Sequence, residues 1–154
     1  MAAFELFEGL SKSEIKHIFD FGVIRPVEAG EVLFRKGDVG QDMYIVLTGK
    51  IDIVEECDTG STIGVVPLAE LGPGELLGEM AMFDKSHKRS AHALAKESSQ
   101  VLALSEDTLS KLTDKKIPRK FLVNMIGALC HRLRLTSSMY LQAKYGCQPA
   151  PDGK

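Results

Sequence analysis

The chain has no tryptophan, and its three cysteines, Cys57, Cys130 and Cys147, are odd in number and far apart. That fits reduced thiols in a cytoplasm better than a disulfide framework, and it leaves no pair at metal-ligand spacing. An excess of one charge is also missing: 19 Lys and Arg stand against 21 Asp and Glu, a formal net charge of −2. No global basic field exists to hold nucleic acid or an anionic membrane, so any anion site must be local. No run approaches the roughly 20 apolar residues of a membrane span. The opening MAAFELFEGL lacks the basic-then-apolar order of a signal peptide. A soluble, cytoplasmic protein with no membrane partner is expected. His17, His87, His92 and His131 are scattered, and no Ser or Cys sits in a nucleophile turn. An enzyme is the least expected class, with no catalytic and no metal-binding residues.

What is present fits one domain, expected over 1–145, because 154 residues carry enough apolar side chains for one core. Ser11 and Glu14 have the spacing of a reciprocal capping box, which predicts a short N-terminal helix from about Ser13 to Phe19. From Val23 to Ser105 the runs EVLF, MYIVL, KIDIV, TIGVV, SAHALA and QVLAL alternate with glycine-bearing turns, which predicts an antiparallel meander. Regular turn spacing suggests a sandwich or jelly-roll barrel, which closes its own edges. The expected fold class is therefore mainly β: an antiparallel β jelly-roll barrel over about 23–105, with short N-terminal helices and C-terminal helices over 106–145.

Ser105 reads as the N-cap of a short helix, and Pro118 suits the first turn of a longer one running to about Lys144. Along it Leu122, Met125, Ile126, Leu129, Leu133, Thr136 and Tyr140 recur every three or four residues. Such a stripe packs on its own domain or pairs with a second copy. The residues 146–154, rich in glycine and proline, read as a flexible tail.

The stretch GEMAMFDKSHKRSA, Gly78 to Ala91, holds an acid and a base ten residues apart among small residues. Gly78 permits a tight approach, and a short helix opening there would point free N–H groups at an anion. Arg89 would meet phosphate oxygens in a two-pronged bond, with the Ser90 hydroxyl beside it. Glu79 cannot favour phosphate by charge, so it calls for a hydroxyl donor on the same ligand, such as a ribose 2′-OH. Ala81 and Ala91 leave room at the backbone. Phosphate plus hydroxyl suggests a nucleotide. The plainer alternative is a surface ion pair between Glu79 and Arg89 across a turn, worth about 0–1 kcal/mol. A carboxylate facing a guanidinium is expected to have a lowered pKa, suited to accepting hydrogen bonds rather than to abstracting protons. The segment GPGELLG superficially resembles a dinucleotide loop, but its glycine spacing and antiparallel setting are wrong for one.

Gly78, Glu79, Met80, Ala81, Met82, Arg89, Ser90 and Ala91 resemble the phosphate-binding cassette of the cyclic nucleotide-binding domain family. The family's pattern is glycine, glutamate, apolar residues, a variable loop, then arginine, a small or hydroxyl residue and alanine. EVLFRKGDVGQDMYIVLTGKIDIV resembles its early strands and LGPGELLGE the approach to the cassette. The length of the Glu79–Arg89 loop and the late HRLRLTSSMY are similar to the bacterial catabolite-activator branch.

The resemblance implies that Arg89, Ser90 and the backbone after Gly78 hold a cyclic phosphate. It implies that Glu79 accepts from the ribose 2′-OH and is steadied by Arg132. Thr136 would meet the base, and Ser137 would do so from a partner chain if the long helices pair. Ile53, Leu68, Leu71 and Met80 would be apolar walls, or simply core. A serine at position 90 suits cyclic AMP or cyclic GMP, and Thr136 with Ser137 favours cyclic AMP. That branch continues into a DNA-binding domain, for which this sequence shows no recognition helix, so direct DNA binding is not expected. The expected function is a stand-alone cyclic-nucleotide sensor that signals to an unidentified effector protein through its C-terminal helix, with a homodimer through that helix as an assembly open to it. The alternative is an interaction or dimerisation module that binds no nucleotide. A haem sensor on His87 or Cys57 is a third and weaker reading.

Overall fold

Both oxygens of the Ser11–Glu14 pair are used as the spacing requires: Ser11 Oγ accepts from Glu14 N at 3.3 Å, and Glu14 Oε2 accepts from Ser11 N at 2.6 Å. This box opens α1 (Lys12–Phe21), which follows a 3-10 turn at Glu5–Phe7. The computed structural model describes residues 5–114 and 119–146. Pro118, Cys147 and the expected tail beyond Gly146 lie outside the described residues.

Eight strands follow α1: β1 (Val23–Val27), β2 (Val32–Phe34), β3 (Asp42–Thr48), β4 (Ile51–Asp58), β5 (Ile63–Leu71), β6 (Leu76–Leu77), β7 (His92–Ala95) and β8 (Ser99–Ser105). A five-residue helix, α2 (Glu79–Phe83), separates β6 from β7. The chain continues as α3 (Glu106–Asp114), where Ser105 Oγ accepts from Thr108 N at 3.0 Å as expected of an N-cap, and as α4 (Arg119–Tyr145).

Pairing is antiparallel throughout, in two four-stranded sheets ordered β1-β8-β3-β6 and β2-β7-β4-β5. The expected closure into a barrel is corrected: among the described residues both sheets are open. The strands at the corners are too short to bridge them, since β6 has two residues and β2 has three with a register shift between Val32 and Phe34. β1 and β6 edge one sheet, and β2 and β5 the other. Exposed β5 carries Pro67, which suits an edge because proline offers no ladder donor.

Within the first sheet β3 is buried on both faces and is apolar without a break in MYIV, whereas the edge strand β1 is largely exposed. Met43 and Ile45 point into a cluster with Ile18, Leu102, Leu104, Phe121 and Met125 beneath the helices. Tyr44 and Val46 point the other way, into a cluster with Val27, Ile51, Leu71, Leu77 and Val101 between the sheets. One strand therefore serves two cores.

The stripe on α4 divides. Phe121 and Met125 are buried, with Leu122 and Leu129 partly covered, and Asn124 Nδ2 donates to Leu6 O and Glu8 O at 3.0 Å. Ile126, Leu133 and Tyr140 are exposed. Gly146 ends the helix in the left-handed region, its N–H donating to Gln142 O at 2.9 Å.

Candidate functional site

β6 ends at Gly78, whose φ of 78° turns the chain directly into α2. A side chain there is doubly excluded, because a Cβ would lie 2.7 Å from Arg89 Nη1 and 3.1 Å from Asp42 O. The first-turn N–H groups of α2 have no intrahelical acceptors. Arg89 sits just before β7, anchored by backbone bonds from Arg89 N to Asp38 O and from Gly37 N to Arg89 O, both 2.8 Å. Its Nη1 donates to Asp42 O at 2.7 Å and Gly78 O at 2.9 Å.

The surface ion-pair reading fails on burial. Glu79 is 4% exposed and Arg89 5%, and the two form no ion pair with each other. Glu79 Oε1 instead accepts from Arg132 Nη1 at 3.1 Å, while Arg132 Nη2 donates to Leu76 O at 2.5 Å. Arg132 thus reaches from α4 across to both β6 and α2. The other carboxylate oxygen, Glu79 Oε2, is buried with no hydrogen-bond partner. Such an acceptor costs about 1–3 kcal/mol unless something supplies a donor.

The expectation of a lowered Glu79 pKa is corrected. Burial pushes this carboxyl up, outweighing the opposing pull of Arg132, its own backbone amide and Arg89. Desolvation wins because only one oxygen is compensated.

These groups face one cavity of about 660 Å³. Its size and its apolar lining with few convergent polar groups are those of a small-molecule site. Gly78, Glu79, Met80, Ala81, Arg89, Ser90 and Ala91 all line it from the strand side, and Arg132 and Thr136 from α4. Ile53, Leu68 and Leu71 line it too, which leaves Ser137 as the one expected residue outside it. Leu71 is also core, whereas Leu68 and Met80 are 50% and 59% exposed, which makes them walls rather than core. Ser90 Oγ donates to Met80 Sδ at 3.5 Å. Thr136 Oγ1 donates to Arg132 O at 3.0 Å.

Ser137 does not line the cavity; it is exposed on another face of α4. Sequence reasoning missed Phe34, Ala69, Leu77, Met139, Tyr140 and Ala143. Helical spacing offered a signal for three of them, since Arg132, Thr136, Met139, Tyr140 and Ala143 follow at intervals of three and four on one face. His87 holds Ala81 O through Nδ1 at 3.0 Å and so braces the loop after α2. Among the described residues no cluster of three or more His, Cys, Asp or Glu is placed to hold a metal ion, and no helix is long and apolar enough to cross a membrane.

Comparison with known proteins adds to this geometry. Residues 24–116 match the family model described as the cyclic nucleotide-binding domain. The Cyclic AMP receptor protein of Thermus thermophilus is 37% identical over 132 residues, covering 84% of this chain and 57% of that protein. The chain thus spans little more than half the length of this relative. The crystal structure of the Thermus thermophilus catabolite activator protein superposes with a TM-score of 0.73 at 32% identity, covering 86% of this chain and 60% of that one. A structure from a cyclic-GMP-dependent signalling pathway that regulates bacterial phytopathogenesis has a TM-score of 0.63 at 31% identity, covering 81% and 95%.

Proposed function

Because this chain belongs to the cyclic nucleotide-binding domain family, we propose that its cavity captures a cyclic nucleotide, cyclic AMP in preference to cyclic GMP, and that the domain is a regulatory sensor without catalytic activity. The observation that carries the reading is the pair of buried, mutually unpaired charges. Arg89 has no carboxylate partner among the described residues and Glu79 Oε2 has no donor, and both border the same cavity. A cyclic phosphate bound to Arg89, Ser90 and the α2 amides would neutralise the first. A ribose 2′-OH donating to Glu79 would satisfy the second.

Base preference follows from hydroxyl direction. Thr136 spends its proton on Arg132 O, so only lone pairs remain to face the ligand. They accept from the exocyclic amine of adenine and repel the 6-oxo group of guanine. Ser137 contributes in this reading from a second copy, with the exposed residues of α4 pairing around a two-fold axis. Capture draws the later turns of α4 onto the ligand through Arg132, Thr136 and Tyr140, and this movement signals to a partner protein. A ligand that binds only the closed state at one hundred times Kd shifts the equilibrium by about 2.7 kcal/mol, enough for a switch. The cytoplasm, where cyclic nucleotides are made, is the proposed location.

The exposed row on α4 also favours a second reading, a dimerisation module that binds no nucleotide. Calorimetric titration of nucleotide-stripped protein with cyclic AMP and then cyclic GMP separates the two. Micromolar or tighter binding, weakened by about 1.5–3 kcal/mol in R89A, is the expected result. Silence with both ligands would leave the dimerisation module.

A further inference from the structure

Burying a guanidinium without a carboxylate beside it is costly, and Arg89 is 5% exposed with no ion pair among the described residues. Two carbonyls, Asp42 O and Gly78 O, take up Nη1 alone. One face of the cation is covered by aromatic rings. The Arg89 Cζ atom lies 4.4 Å from the centroid of the Phe34 ring and 5.7 Å from that of Tyr44. The two rings stack on each other at 6.1 Å and 24°. Burial pushes the Tyr44 phenol up, so it stays neutral and supplies no counter-charge.

Steric walls complete the slot. A Cβ on Gly40 would lie 2.4 Å from Arg89 Nη2, and one on Gly78 2.7 Å from Nη1. The guanidinium is therefore held in plane by a ring and two glycines. Phe34 belongs to β2, far from the cassette in sequence, and is only half-buried, at the cavity wall.

We propose that Phe34 is a positioning residue for anion capture: its ring face keeps Arg89 buried and oriented without neutralising it, so the full charge is available to a phosphate. A carboxylate in the same place would hold the arginine equally well but would compete with the ligand. The π face stabilises the buried cation, which still lines the cavity. Preorganisation of this kind spares the ligand the cost of ordering a long side chain.

This inference rests on the nucleotide reading, and two arms keep the failures apart. The first arm measures affinity for cyclic AMP and cyclic GMP in the wild type, F34L and F34Y, with thermal melts of the ligand-free proteins as the folding control. F34L keeps the bulk and loses the ring, so a fall of about 5- to 30-fold is expected, the range such a contact is worth. F34Y keeps the face and should bind within about threefold of the wild type. The second arm needs no nucleotide: the Arg89 Nε–Hε resonance, assigned by its loss in R89K, should be shifted upfield by the ring and protected from exchange, and F34L should abolish both effects. Wild-type affinity in folded F34L, an equal loss in F34Y, or an Arg89 signal indifferent to F34L would each overturn the role of Phe34. If the wild type binds neither nucleotide, the functional reading falls, and the Arg89 signal alone decides whether the clamp exists.

Discussion

The two halves of α4 are built from similar residues and held by different physics. In the first, Phe121 and Met125 are sealed into the lower core and Asn124 is tied to two backbone carbonyls. Among the described residues none after Met125 is buried, and Arg132 bonds the later turns to α2 and β6. A segment with little buried apolar area opens at lower cost than one within the core. The same helix is thus a structural member at one end and, at the other, a cover over the cavity.

Four substitutions break or sharpen that contrast. The largest effect belongs to F121A, which empties a fully buried site and should cost about 3–5 kcal/mol in denaturant unfolding. R132A releases the second half: hydrogen exchange beyond residue 132 should quicken, nucleotide affinity should fall about tenfold, and global stability should drop by about 1–3 kcal/mol, because Glu79 Oε1 loses its partner.

E79Q separates binding from stability. The folded pKa of Glu79 is raised above its unfolded value, so the stability it contributes is fully present below the ordinary carboxyl pKa of the unfolded chain and is lost as pH rises through the folded pKa. The ligand-free wild type should therefore lose part of its melting temperature as pH climbs from 4.5 towards neutrality. In E79Q that part of the slope should vanish while nucleotide affinity still falls. An identical slope in both proteins would contradict the burial argument.

The smallest effect is expected of G127A, at the junction of the two halves. An added Cβ there meets nothing within 4 Å, and an interior helical glycine costs about 0.5–1 kcal/mol, so stability should rise by that amount.

Periodicity and capping carried the helices and six of the eight strands. β1 escaped because Arg25 and Pro26 interrupt its apolar pattern, and β6 because two residues, Leu76 and Leu77, hold no period at all. Sheet closure was not legible, since it depends on strand lengths at the corners. At the site, the candidate residues were readable because they fall in two short runs, Gly78–Met82 and Arg89–Ala91, whose types suggest a chemistry. Phe34 was not, because a ring under a guanidinium leaves no spacing in the chain. Burial of Glu79 reversed a pKa direction inferred from its neighbour's charge, an effect set by tertiary packing rather than by residue type.

The measurement that bears most directly on the account is hydrogen exchange along α4 with and without saturating cyclic AMP. The account predicts slower exchange from Arg132 to Tyr145 on binding and no change from Arg119 to Leu129, which the core already protects. Exchange unaltered along the whole helix, or slowed equally in both halves, would contradict the claim that the later turns of α4 are the element that answers the ligand.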